Sequence, residues 1–153
     1  MGTNTDVSTG KEAEVIKFFV PGEPQPFPKK RSNRRTGMIY THDPGGIKRG
    51  WMNAVEHYGK QAMADAGFVQ AFGAGDAVYM RCVFYRTKPL SLPKRLLYPL
   101  TKPDLDNYEY AISNALIGVC YHDDSRVVSL VVDKRWATRE HPAGVEVEIR
   151  RLA

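Results

Sequence analysis

The sequence lacks the features that would mark it as exported, membrane-bound or built on disulfides. Its two cysteines, Cys82 and Cys120, lie far apart with no CxxC pair, which argues against a disulfide framework and against a thiolate zinc site. Cys82 sits in an alternating apolar stretch and reads as a buried free thiol. His42, His57 and His141 lack the spacing of a zinc site. No apolar run approaches the length of a membrane-spanning helix. The opening, MGTNTDVSTGKEAE, is polar and carries no signal-peptide core. A cytoplasmic location and no membrane partner are therefore expected. Internal repeats and an evident domain linker are also missing, so residues 14–153 read as one domain behind a disordered tail, residues 1–13.

Acidic residues are the minority: 17 Asp and Glu against 22 Lys and Arg, a net charge of +5. That balance favours an anionic partner. The distribution is more telling than the total. Residues 29–35, KKRSNRR, hold five cations in seven positions with no apolar residue, so they cannot be core. The segment is either a solvated surface loop or a phosphate-binding one, and cation density without interleaved acids favours the latter. Lys29, Lys30, Arg31, Arg34 and Arg35 are the candidates for phosphate contact. Phe27 and Tyr40 flank them. Aromatics in that position stack on unpaired bases or pack on the fold, and packing is the preferred reading.

Hydrophobic periodicity predicts the elements. Residues 14–20 read as a first strand and 38–40 as a short second one, with the turn-rich PGEPQP and the basic loop between them. Asp43-Pro44 predicts a helix start, with Asp43 as N-cap. Ile47, Trp51, Ala54, Val55, Tyr58 and Ala62 then recur at helical spacing up to a stop at Gly67. Residues 78–85 alternate as a strand. Four prolines in residues 86–103 predict an extended connection. A second helix is expected from about Asp106 to Gly118, followed by strands at 127–136 and 145–149, which residues 137–144 would join as a hairpin. The fold class expected is α+β, with two main helices on a mixed or antiparallel sheet of about four strands.

The chemistry concentrates in KPDLDNYEYAISNALIGVCYHDDSRVV. Pro103 keeps the chain extended at Lys102. If extension continues to Asp106, then Asp104 and Asp106 point to one side. Asp123-Asp124 follows one helix later, and packing of that helix would bring Asp124 near the first pair. Two carboxylates about 4 Å apart repel by roughly 4 kcal/mol at an effective dielectric near 20, a penalty that a cation removes. An all-oxygen site suits Mg²⁺, with Mn²⁺ as a substitute. The alternatives remain open: Asp106 with Glu109 resembles a capping box, and Asp123-Asp124 is also ordinary turn chemistry. His122 reads as a turn histidine rather than a general base.

KPDLDN, the short helix ending in ALIG, then DDSRVVSL and DKRW closely resemble the core of the RusA family of Holliday-junction resolvases. VPGEPQPFPKKR and the later IYT resemble that family's opening, so the likeness spans about residues 16–149. The resemblance implies a homodimeric, Mg²⁺-dependent crossover junction endodeoxyribonuclease. It would nick branched DNA, four-way junctions included, in symmetric pairs during recombination or repair. It assigns Asp104, Asp106 and Asp124 as catalytic and metal-holding residues, and matches Asn107 beside them. It matches Lys134 to a lysine in the following strand that would contact phosphate. Two positions depart from the pattern. Tyr110 stands where the family has a lysine and carries no positive charge at neutral pH. Arg126 stands where it has a glutamine and returns a cation to the acidic turn. Lys102, beside the acidic pair, joins Arg126 and Lys134 as a further candidate for DNA contact. The Tyr110 departure leaves a second reading open, a branched-DNA-binding protein with weakened catalysis.

Overall fold

A computed structural model describes residues 15–152. The tail expected at residues 1–13 lies outside the described residues. The fold is α+β. Strands β1 (Val15–Pro21), β2 (Lys29–Ser32) and β3 (Ile39–His42) precede helix α1 (Ile47–Asp65) and strand β4 (Ala77–Arg86). Helix α2 (Leu105–Ala115), β5 (Val127–Trp136) and β6 (Gly144–Leu152) complete it. A four-stranded mixed sheet runs β1-β6-β4-β5, and β2 pairs with β3 as a separate ribbon.

Both helices cover one face of the large sheet. Ile16 and Val20 of β1, Val78, Met80, Cys82 and Phe84 of β4, and Val145, Val147 and Ile149 of β6 are buried at period two. Opposite them, α2 buries Tyr108, Ala111 and Ile112, and α1 buries Trp51, Val55, Gly59 and Met63. Phe84 stacks on Tyr108 at 5.1 Å between ring centroids. Gly59 lets the chain after α2 approach closely, since a Cβ there would lie 2.6 Å from Leu116 Cδ2. Both cysteines are buried free thiols. Burial pushes the Cys120 thiol up to about 12 and that of Cys82 still further. The other sheet face carries charge, including Arg150 with Glu148 at 2.9 Å and Arg135 with Asp133 at 3.3 Å. Among the described residues, no helix is long and apolar enough to cross a membrane.

Three expectations are corrected. β5 and β6 do not form a hairpin. β5 returns parallel to β4 through α2, as a parallel pair requires, and β6 runs antiparallel between β4 and β1. The 137–143 connection instead crosses the end of β4, where His141 stacks on Tyr85 at 4.9 Å and Ala137 N donates to Arg86 O at 2.7 Å. Asp43 is the N-cap residue of a short 3₁₀ turn, Pro44–Gly46, while the N-cap residue of α1 itself is Gly46. Gly45 and Gly46, both at positive φ, turn the chain first. The Asp43 carboxylate then reaches forward to accept from Lys48 N at 2.9 Å and Arg49 N at 3.0 Å, and those bonds hold its pKa below the usual carboxylate range. Third, α1 presents Trp51, Val55, Gly59 and Met63 inward, while Ile47 and Tyr58 of the expected stripe are exposed.

Candidate active site and nucleic-acid interface

The site is assembled around the first turn of α2. The Lys102–Pro103 peptide is cis, and Asp104 is extended at φ −67°, ψ 152° as the helix N-cap residue. Asp106 already lies in the first helical turn. The chain is thus not extended through both aspartates, and the same-side argument from strand geometry does not apply. The capping-box reading fails as well, because the Asp106 carboxylate accepts from the adjacent Asn107 N at 3.0 Å.

Two cations shape the segment leading into this turn. Lys134 Nζ donates to Thr101 O at 3.0 Å and Pro103 O at 3.1 Å. Arg86, absent from the sequence-based candidates, donates to Thr101 Oγ1 at 3.2 Å and Lys102 O at 2.9 Å and lies over the Trp136 ring. Partial burial, with the charges of Arg86 and Lys102 nearby, holds the Lys134 pKa below its usual value. Lys102 pairs with Asp104 at 2.8 Å. That hydrogen bond lowers the Asp104 pKa, helped by the charges of Lys102, Lys134 and Lys29.

The second acidic stretch resolves into two roles. Asp123 caps the short 3₁₀ turn Asp124–Arg126, accepting from Ser125 N at 3.2 Å and Ser125 Oγ at 2.5 Å; these bonds lower its pKa. Asp124 is left to face a shallow cleft of about 280 Å³, shared with Glu109, Tyr110 and Ser113. Glu109 is half-buried. Its carboxyl pKa is raised first by burial and then by the charges of Asp124 and Asp106, while a hydrogen bond from Ser113 works the other way. Glu109 is therefore the carboxyl that feels both acidic stretches. The sequence pattern alone marks it as a cap; its position three residues after Asp106, nearly one helical turn on and so on the same face, was the available signal. Arg126 NH1 donates to Ser125 Oγ at 2.9 Å, and its Nε is buried without a partner among the described residues.

The basic segment is a two-stranded ribbon, not a loop. Lys29 pairs with His42, Lys30 with Thr41, Arg31 with Tyr40 and Ser32 with Ile39. Asn33 closes the turn by accepting from Arg35 N at 2.8 Å. Lys29, Lys30, Arg31, Arg34 and Arg35 are all exposed, and their side chains make no hydrogen bond or ion pair among the described residues. The ribbon's root is fixed to the acidic helix. Phe27 N donates to Asn107 O at 3.2 Å, and the Phe27 ring packs on Tyr110 at 4.6 Å. Tyr40 remains 46% exposed, contrary to the packing expected of it. Glu23, from PGEPQP, accepts from Thr87 N at 2.6 Å and ties this entry to the end of β4.

The oxygen donors fit a hard divalent cation by chemistry. Their present arrangement does not enclose one: among the described residues, no three His, Cys, Asp or Glu side chains gather closely enough to hold a metal ion.

Residues 21–150 match the family described as Endodeoxyribonuclease RusA. The chain belongs to the RusA family. Endodeoxyribonuclease activity is the function that membership implies, and the mixed sheet with two helices is consistent with the RusA fold. A relative in Bacillus subtilis (strain 168), described as the uncharacterized protein YqaN, is 35% identical over 153 residues, covering 92% of this chain and 99% of its own.

Proposed function

We propose that this RusA-family protein is a Mg²⁺-dependent, structure-selective endonuclease that resolves four-way DNA junctions by symmetric paired nicks, acting as a homodimer inside the cell during recombination or repair. The observation that carries the reading is that Asp124, distant in sequence, lines one cleft with Glu109 of the acidic helix, while the root of the cationic ribbon is tied to the same helix by Phe27.

In this reading the ribbon cations hold phosphates and set the register of the strand to be cut. Asp104, Asp106 and Asp124 would hold Mg²⁺ or Mn²⁺. A bound ion supplies Lewis-acid activation of the phosphodiester. Asp104 must exchange its Lys102 partner to take part, which frees the Lys102 ammonium for a phosphate. Arg86 and Lys134 keep residues 101–103 in place through their carbonyls. Arg126, half-buried beside Asp124, would offer its guanidinium to a phosphate oxygen. Two-fold symmetry of a homodimer matches the approximate two-fold symmetry of a junction.

A second reading, a branched-DNA-binding protein with weakened catalysis, draws on Tyr110, which packs against Phe27 and brings no charge to the site. One experiment separates the two. A labelled four-way junction and a matched linear duplex are incubated with protein, with Mg²⁺ or chelator, alongside Asp106→Asn. Paired Mg²⁺-dependent nicks confined to the junction and lost in the variant are expected. Tight junction binding without cleavage would favour the binding protein, and neither binding nor cleavage would overturn both.

A further inference from the structure

Between the ribbon, α1 and the C-terminal half of α2 lies a cleft of about 390 Å³, within the ~300–1,000 Å³ range of sites that hold small organic groups. Its lining includes Phe27, Met52 and Ile117, the cations Lys30 and Arg49, the amides of Asn53 and Asn114, and Glu56, which is paired with Lys60 at 2.9 Å. Asn114 Nδ2 already donates to Tyr110 O at 3.3 Å, which leaves its oxygen open. The exposed Asn53 side chain makes no hydrogen bond among the described residues.

We infer that this cleft receives one unpaired nucleobase of the branched DNA, an inference that rests on the DNA reading above. The combination suits such an occupant: apolar walls meet the faces of the base, carboxamides offer both donors and acceptors to its edge, and the cations meet the flanking phosphates. Lys30 and Arg49 bring two cations to a lining whose one carboxylate, Glu56, is already paired with Lys60. Phe27 joins the cleft to the acidic helix, since the same ring packs on Tyr110. The cleft supplies a physical basis for choosing branched over linear DNA. Extruding a base is costly in an intact duplex and least so where pairing is already disturbed.

The test uses full-length Asp106→Asn protein and a four-way junction carrying 2-aminopurine at successive nucleotides around the crossover. Binding is followed by anisotropy and base unstacking by fluorescence. A severalfold rise in fluorescence is expected at one position or its symmetry mate. Asn53→Trp, at an exposed helix position, fills the cleft; it is expected to remove the rise, weaken junction affinity only severalfold and leave the salt dependence unchanged. Asn53→Ala is expected to reduce the rise without lowering Tm. A probe silent at every position on a bound junction, or a rise that survives Asn53→Trp, would overturn the cleft assignment and leave the nuclease reading standing. Failure to bind the junction at all would overturn both.

Discussion

The cations of this molecule fall into two groups that composition alone does not distinguish. Those of the β2-β3 ribbon are exposed and make no side-chain bonds among the described residues. Lys102, Lys134 and Arg86 are engaged, one with the Asp104 carboxylate and two with the carbonyls of residues 101–103. The first group is free to neutralise phosphates; the second shapes the entry to the acidic helix. Equal formal charge therefore predicts unequal effects on DNA affinity, and a cation's worth to a polyanion depends on what already occupies it.

The largest expected effects fall on the acidic residues of the site. Asp106→Asn and Asp124→Asn should each lower junction cleavage by about 10²–10³-fold, several kcal/mol of transition-state stabilisation, while junction binding by anisotropy is retained. Next comes the ribbon. If about five phosphates are neutralised, log affinity should fall with log salt at a slope of roughly −4 to −5. Replacing Lys30, Arg31, Arg34 and Arg35 together by Ala should make that slope shallower by about 3–4 with Tm unchanged. Lys134→Met should do the reverse. It leaves Pro103 O without its donor and Thr101 O with only the 3.5 Å contact from Arg86, at a cost of about 0.5–1.5 kcal/mol of stability, with cleavage reduced and the salt slope little altered. Equal slopes for the ribbon variant and Lys134→Met would break the distinction between the two groups.

The smallest effect concerns Glu109. Its folded pKa is raised, so its contribution to stability is fully present below the unfolded carboxylate pKa and is lost as pH rises through the folded value. Glu109→Gln should therefore raise Tm at neutral pH without divalent ions, with little effect near pH 4. Thermal scans at the two pH values check the sign.

Much of the fold was legible from period and punctuation. β5 occupies Val127–Trp136, the bounds expected of it, and α2 lies between Pro103 and Gly118 as expected. What could not be read locally was pairing. Val145, Val147 and Ile149 mark a strand with one buried face, but nothing within them says that β6 inserts between β1 and β4 rather than folding back on β5. The ribbon was missed because Lys29–Ser32 has no apolar alternation; it is a strand by pairing alone. Of the candidate site, the acidic motif was legible as chemistry. The division of labour between Asp123 and Asp124, the position of Glu109 and the clamp from Arg86 depend on the turn after α2 and on the parallel return of β5, which bring together residues distant in sequence.

The most direct test is calorimetric titration of Mn²⁺ into the wild-type chain and into Asp104→Asn, Asp106→Asn and Asp124→Asn, with junction DNA of uncleavable backbone present. The account predicts one shared site, weakened at least tenfold by each substitution. Manganese affinity that is untouched by Asp124→Asn would contradict it.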